Sequence, residues 1–587
     1  MLLRTLYLKN FRNFEDEIVN FNDSAIIIGP NDVGKSNLIY SMRLLLDKSL
    51  SQNDITPKES DFNIFSQSDV FTITIKFSNF DIIKDEKTIA RFGKLRNANG
   101  ELFIAYKGYR NNEEPYEIFM GDNQTIYDNP SCKIDGRVYL NCFNIVYLDS
   151  SRILNDYLKS AKNRMINRYK NKRSGQQIED DKILMIKANE NLANANSKLE
   201  KISYISESIN FVSDKMHDFS YEKNDIVLSV KNDILDLERK VELVSIAQGK
   251  KLEIGGDGKS NEIYLIMWLE ENIFNSLQGN IINIYAIEEP ENHLYHPLQK
   301  MIGKNIKKYL DGYQLILSSH SPSIIECFNP ASIIRLTNMN NYKTKIINSG
   351  CSDSLIESYY TFGFRHNIIT DEMFFSNIVF LVEGVSEKLL YSAISKANGD
   401  ILEKNNARII SVEGVGFLVY IKILKALSID FIVRTDNDIV AVKYGKGRKK
   451  TKYSCSGLLR LIKIYKEFNL GTYDFNEELF SSLSEKHIPK ELKKIFNEYL
   501  EELESVNLFL SGVDLEYDMF YSPLKDEIIK YYENDTSKSI IEKMREEKGN
   551  NMYNLMQNID DSCLKKITAK IKLGKPLFRI INGGNDL

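Results

Sequence analysis

Cysteine is sparse in this chain and never paired. Cys132, Cys142, Cys327, Cys351, Cys455 and Cys563 are scattered, with no C-x-x-C and no histidine at ligand spacing. That argues against structural zinc and against a disulfide framework, and fits a reducing compartment. Long apolar runs are also missing: no stretch of about 18 such residues occurs, so nothing is expected to span a bilayer. The opening MLLRTLYLKNF turns polar too soon for a secretory signal, so a cytoplasmic location is expected. Charge of one sign is scarce, with 77 Lys+Arg against 81 Asp+Glu and a net charge of -4. A general polycation that coats nucleic acid is thereby excluded, and any DNA contact must come from local basic patches. The 587 residues are 43% hydrophobic and 27% charged, a globular composition with length for roughly three to four domain-sized units.

Two stretches have β/α texture. Residues 1–30 read as strand, turn, strand, closing in the apolar run Ser24–Ile28 before a glycine, and a helix pattern follows from Ser36 to Leu46. Short strand-like runs (VFTITIKF, ELFIAYKGY, FNIVYL) occupy 70–150, separated by Asn/Asp/Gly turns. From 155 to 245 the texture becomes helical and rich in Lys, Glu, Asn and Ser. This insertion is either a helical hairpin that pairs with a second copy or a packed helical element. Strands return in IINIYAIEE and YQLILSSH, and a second α/β unit opens with NIVFLVEG, ARIISVEG and IDFIVRTDND. Residues 455–505 read as a charged helical insertion in that unit.

Gly29-Pro-Asn-Asp-Val-Gly34-Lys35-Ser36 fits G-x-x-x-x-G-K-[ST], between a strand and a helix. Its glycines let backbone N–H groups wrap phosphates at a helix N-terminus. Lys35 would reach the β/γ-phosphates and Ser36 would hold Mg²⁺. Downstream, Ile287-Glu288-Glu289-Pro290-Glu291 ends an apolar strand in adjacent acids. Glu288 is the expected Mg²⁺ partner and Glu289 the expected base that orients water. His320 closes a further strand and is expected to sense the γ-phosphate.

This order resembles the ABC-type ATPase heads of the SMC, RecF and OLD (overcoming lysogenization defect) families, as does the opening LKNFRNF. The resemblance implies that a signature loop, here Ile254–Lys259 with Gly256 and Gly258, caps the nucleotide of a second head. The stretch lacks the serine of L-S-G-G-Q, and Glu288 stands where many relatives have Asp. ATP is therefore expected to regulate more than to turn over quickly.

Glu383-Gly384-Val-Ser-Glu387 places one acid at a strand end and another four residues on, near one face if a helix starts at the glycine. Asp436 and Asp438 end another strand and share a face if that strand continues. Such carboxylates cannot ionise together cheaply without cations, and hard oxygens suit Mg²⁺ or Mn²⁺. E-G-x-x-E, a glycine loop (Gly414, Gly416) and D-x-D form the Toprim pattern. An ABC head followed by Toprim resembles the OLD nucleases over nearly the whole chain, and most of all those of Gabija-type and retron-associated anti-phage systems. N-D-x-G-K-S-N, with Asn31 and Asn37, joins I-E-E-P-E, T-D-N-D and D-L-E in that likeness.

The resemblance implies that Asp514 and Glu516 complete a two-metal set; Asp518 is read as a surface residue. It also implies a catalytic lysine, Lys548 by position, with Lys543 and Lys575 as alternatives. Lys443–Lys452 after D-x-D and a second cluster at Lys162–Arg173 are candidate contacts to double-stranded DNA. The expected partners are a second copy, or a tetramer, and either a UvrD-like helicase or a reverse transcriptase with its RNA–DNA hybrid.

The expectation is therefore an α/β chain. An ABC-type head (1–155 and 246–345) is split by a helical dimerisation insertion (156–245). A linker (346–372) leads to a Toprim nuclease domain (373–587) with its own insertion (455–505). The expected function is ATP-regulated, metal-dependent cutting of DNA in anti-phage defence. The rival is a non-cutting SMC/RecF-like clamp, which has no use for Glu383, Glu387, Asp436 and Asp438.

Overall fold

A computed structural model describes residues 1–80, 86–150, 154–199, 201–203, 244–247, 250–253, 257–277, 281–338, 343–352, 372–414, 416–444, 450–532, 536–546 and 548–581. The chain divides into two compact units, one of 1–148, 280–291 and 296–587 and the other of 149–279 and 292–295.

In the first unit an antiparallel sheet runs in the order β2-β1-β4-β5-β6-β7. Its strands are β1 (Leu2–Phe11), β2 (Phe14–Asn20), β4 (Val70–Ser78), β5 (Leu102–Tyr109), β6 (Tyr116–Gly121) and β7 (Lys133–Ile134). Leu3, Leu6, Leu8 and Phe11 of β1 are buried, and they pack in one core with Phe71, Ile73 and Ile75 of β4. A second sheet has the order β14-β13-β3-β12-β11-β8. Its strands are β3 (Ser24–Ile28), β8 (Phe143–Leu148), β11 (Ile282–Glu288), β12 (Gln314–Ser318), β13 (Ile333–Asn338) and β14 (Thr344–Ile346). All neighbours are parallel except β13 and β14. Ala25, Ile26, Ile27 and Ile28 are fully buried, as the continuous apolar run of a doubly covered parallel strand requires. This sheet places the P-loop, the ends of β11 and β12 and residue 320 along one carboxyl edge, where ligands of open α/β sheets bind.

The Toprim region forms a parallel sheet in the order β16-β15-β17-β20, with β15 (Ile378–Val382), β16 (Ala407–Ser411), β17 (Asp430–Thr435) and β20 (Leu508–Leu510). A hairpin of β18 (Ile439–Tyr444) and β19 (Lys450–Cys455) follows D-x-D and leads into the helix Ser456–Glu467. The expected insertion is helical at Ser456–Glu467, Glu478–Ser481 and Lys493–Ser505. Of the expected linker, Ile347–Ser349 forms a turn and Gly350 bridges Asn20, whereas 353–371 lie outside the described residues.

Head and Toprim sheets are joined by a buried arginine. Arg335 of β13 donates to the carbonyls of Leu427 (2.9 Å), Ser428 (3.0 Å) and Ser376 (3.0 Å). Those carbonyls precede β17 and β15, the strands that lead to Asp436 and Glu383. The Asn348 amide adds a bond to the Ala426 carbonyl.

The second unit contains the helices Leu154–Asn171, Gly175–Leu199 and Asp257–Leu277. The first and third pack together and share the Arg164–Glu271 ion pair at 2.6 Å. A hairpin of β9 (Val244–Ala247) and β10 (Lys250–Glu253) stands where no strand was expected. Residues 204–243 of the expected insertion lie outside the described residues. Among the described residues no helix is long and apolar enough to cross a membrane.

Candidate nucleotide and nuclease sites

The P-loop is built by β3 and the helix Lys35–Leu46. Gly34 caps that helix at φ 101°, a conformation open to glycine, and a Cβ there would overlap the Asn13 side chain. Lys35 is buried and folds back on the loop, donating to the carbonyls of Pro30 (2.8 Å) and Gly29 (3.2 Å). Burial pulls its ammonium down, partly offset by Glu289, Asp32, Glu288 and Glu291.

The Ser36 hydroxyl donates to Glu288 Oε2 at 2.8 Å across 252 positions of sequence. A hydroxyl and a carboxylate so placed are the hard oxygens a nucleotide-bound Mg²⁺ takes. Glu289 follows at φ 43°, its Oε1 3.5 Å from His320 Nε2. Asn31 is exposed on the loop. Asn37 instead faces the β1–β2 turn, donating to Asn13 Oδ1 and accepting from Arg12, both at 2.7 Å. Its place is behind the loop, holding the helix.

Glu291 has no role in the sequence reading, although it lies in the same acidic stretch. Its Oε1 accepts from the Ser319 hydroxyl (2.7 Å) and the His320 N–H (2.6 Å), while its Oε2 is buried without a partner. Burial raises its carboxyl, countered in part by those two bonds. Gly258 opens the helix Asp257–Leu277 in the second unit, and Gly256 lies outside the described residues.

In the Toprim region the helix Val385–Ala397 does start at Gly384. Glu383 directly follows β15, and Glu387 sits in the first helical turn, 5% exposed. Gly414 donates its N–H to the Glu383 carbonyl at 3.0 Å. The expectation that β17 continues through D-x-D is not met, because the strand stops at Thr435. The Asp436 N–H turns to Glu383 Oε1 (2.9 Å), and the Asn437 N–H goes to Ser511 Oγ and the Val513 carbonyl, both at 2.9 Å. Asp436 is consequently buried and Asp438 exposed, so the two do not share a strand face.

Asp514 caps the helix Leu515–Phe520, accepting from the Tyr517 N–H at 2.9 Å, and Arg545 pairs with its other oxygen at 2.6 Å. Glu516 is 1% exposed. Asp518 is no surface residue: it is buried, accepts from the Gly512 N–H (2.9 Å) and pairs with Arg434 (3.0 Å). Lys548 opens a helix, and its side chain lies outside the described residues. Lys575 is bonded to Glu504 at 2.6 Å and Lys543 lies on the helix Ser537–Arg545. Of the basic stretch after D-x-D, residues 445–449 lie outside the described residues.

Two arginines that no motif marked govern the charge here. Arg434, buried on β17, reaches Asp436 (3.6 Å), Glu387 (3.7 Å) and Asp518 (3.0 Å). Burial disfavours its cation, but Tyr391 and the three carboxylates outweigh that and hold it firmly charged. Burial raises the Glu387 carboxyl, with Arg434 opposing. Arg460, from the helix Ser456–Glu467, donates to Glu383 Oε1 at 2.6 Å, touches Thr435 Oγ1 and pairs with Asp438 at 3.3 Å. Among the described residues no three acids, histidines or cysteines stand close enough together to hold an ion as placed. Guanidinium groups supply the neutralising charge. Gly457 lets the helix lie against this loop, because a Cβ there would overlap the Asp436 carbonyl oxygen.

A P-loop head bonded to a parallel sheet with E-G-x-x-E and D-x-D at its strand ends defines the class: an ATPase joined to a Toprim domain. The chain belongs to the AAA ATPase domain family, whose model matches residues 1–133 and 110–325. It also matches the Toprim domain of overcoming lysogenization defect protein-like proteins over 374–438. An "Endonuclease GajA" of Bacillus cereus (strain VD045) is 24% identical over 96% of this chain and 96% of its own length. A second "Endonuclease GajA", from strain HuB5-5, is 24% identical over 98% and 94%. The "Old nuclease" of Escherichia phage P2 is 23% identical over 83% and 86%. Nucleotide and divalent-metal use follow in general from the two domains.

Proposed function

We propose that this protein, a nuclease with an ATPase head, cuts double-stranded DNA in the cytoplasm as part of anti-phage defence, under control of ATP. One observation carries the reading. Acids distant in sequence meet at the carboxyl ends of the adjacent strands β15 and β17, with Glu383 accepting the Asp436 N–H at 2.9 Å. A clamp that never cuts would have no use for that convergence. The relatives named as endonucleases support it over most of the chain.

Glu383, Glu387, Asp436, Asp438, Asp514 and Glu516 would hold Mg²⁺ or Mn²⁺. Bound there, such ions supply a hydroxide nucleophile and stabilise the leaving oxygen. Arg434 lies beneath Asp436 and Glu387 and offsets part of their negative charge. Lys548 is the proposed cation for the phosphate. In the head, Ser36 and Glu288 would take the nucleotide's Mg²⁺, Lys35 its phosphates, Glu289 the attacking water and His320 the γ-phosphate. A second copy would contribute the loop with Gly256 and Gly258, which makes a homodimer the smallest working assembly and a tetramer an extension of it. The GajA relatives favour a Gabija-type UvrD-like helicase over a reverse transcriptase as partner.

The test incubates supercoiled plasmid with Mg²⁺ or Mn²⁺, with and without ATP. Wild type should nick or cut, Glu383→Ala should not, and Lys35→Ala should cut without responding to ATP. Intact ATPase activity with no cutting in any lane, even with the helicase added, would refute the nuclease reading.

A further inference from the structure

Arg460 comes from an insertion helix, outside both acidic motifs, yet its guanidinium lies among the acids. It bonds Glu383 Oε1 (2.6 Å), contacts Thr435 Oγ1 and pairs with Asp438 (3.3 Å). The Arg460 side chain is 16% exposed, and that of Asp438 47%. Arg460 therefore stands at the solvent edge of the cluster, unlike Arg434, which is 2% exposed beneath it. The acids that face solvent are thus neutralised by a group able to leave, and those beneath by one that is not. Beyond Arg460 the same helix lines an open groove with Lys463, Lys466 and Glu467, where Lys466 is paired with Glu477 at 2.8 Å, so Lys463 is the next cationic side chain along the helix. Gly457 at the start of that helix brings its backbone against Asp436, which fixes where Arg460 is delivered.

We infer that Arg460 is the exchangeable counter-cation of the nuclease centre: a divalent cation loads onto Glu383 and Asp438 by displacing its guanidinium, which then serves the phosphate of the incoming DNA. The inference rests on the proposed metal-dependent nuclease. Glu383 Oε1 already accepts three donors, from Thr435, Asp436 and Arg460. Two of these are built into the end of β17, so Arg460 is the one that must yield. Released guanidinium is suited to phosphate, which it grips with two parallel N–H donors. The same side chain would thus hold the carboxylates apart from solvent cations in the resting protein and hold substrate in the loaded one. Metal loading and DNA binding become linked, each favouring the state in which Arg460 has left the acids.

The test is Mn²⁺ binding to the full-length chain, followed by calorimetry or electron paramagnetic resonance, without DNA. Arg460→Met should bind Mn²⁺ about tenfold more tightly, since a charge-assisted competitor is gone. Arg460→Lys should return part of the wild-type weakness, a rescue that a merely structural role would not give. With Ca²⁺ present, Arg460→Met should bind duplex DNA less tightly than wild type. Unchanged or weaker Mn²⁺ binding by a folded Arg460→Met would overturn the inference while leaving the nuclease reading intact. Failure of both wild type and Arg460→Met to bind Mn²⁺ more than Asp436→Ala does would instead overturn the metal site on which it rests.

Discussion

Replacing Arg335 by methionine should sever the ATPase from the nuclease while leaving each intact. Arg335 pairs in register with Ile28, the residue before the P-loop's Gly29, and its guanidinium holds three carbonyls at the roots of β15 and β17. Three charge-assisted hydrogen bonds at about 1.5–3 kcal/mol each give roughly 4–9 kcal/mol. Against this stands the burial of the charge, which pulls the guanidinium down to about 10 and costs about 3 kcal/mol. A net coupling of about 3 kcal/mol remains, worth roughly a hundredfold in an equilibrium. Differential scanning calorimetry of Arg335→Met should show the Toprim transition separating from, and falling below, that of the head. Plasmid cutting should persist but lose its dependence on ATP, and ATP hydrolysis should persist. A single unshifted transition with ATP control retained would refute the idea that Arg335 carries the coupling.

Gly457→Ala should lower cutting about a hundredfold, because the added methyl displaces the Asp436 carbonyl and misplacement near 1 Å has that effect; ATPase rates should not move. Glu289→Gln should leave nucleotide binding intact and slow hydrolysis by about 10²–10⁴, read by single-turnover kinetics. Glu291→Gln should raise the melting temperature at pH 7. The Glu291 carboxyl is raised by burial, so the folded state binds its proton more tightly, and wild type loses stability as pH rises through that raised value. The difference between variant and wild type should therefore shrink on acidification toward 4.5, and a difference constant with pH would contradict this account.

The candidate sites could be picked out where a pattern of residue types is local. Gly29–Ser36, Glu288, Glu383 and Glu387 each sit at a strand end beside a loop or helix, and such junctions leave a short pattern of residue types. What escaped reading depends on contacts between distant positions. Arg460 is 77 residues from Glu383 and no motif lies near it, and although Arg434 stands two residues before Asp436, its partner Asp518 is 84 residues away. The fate of D-x-D turned on hydrogen bonds: the Asp436 N–H found a carboxylate where a strand ladder would have continued. Asp518 looked solvated because its partner was invisible. Arg335 sits in an ordinary apolar strand, and only the arrival of the Toprim backbone gives its charge a purpose.

The interleaving of the central sheet also governs how this chain is made. β3, whose Ala25–Ile28 are fully buried in the finished protein, pairs among the described residues with β12 and β13, which leave the ribosome some three hundred residues later. The antiparallel sheet, complete by Ile134, can form early, but until β12 emerges Ala25–Ile28 has no strand beside it, and until β13 follows it has one on a single side. Such long-range pairing is slow and leaves apolar edges exposed in the meantime. Synthesis of the head should therefore lean on chaperones. A nascent chain halted before Ile333 would carry the whole P-loop sequence yet lack a strand on one side of the site, and nucleotide binding should begin only once β13 is in place.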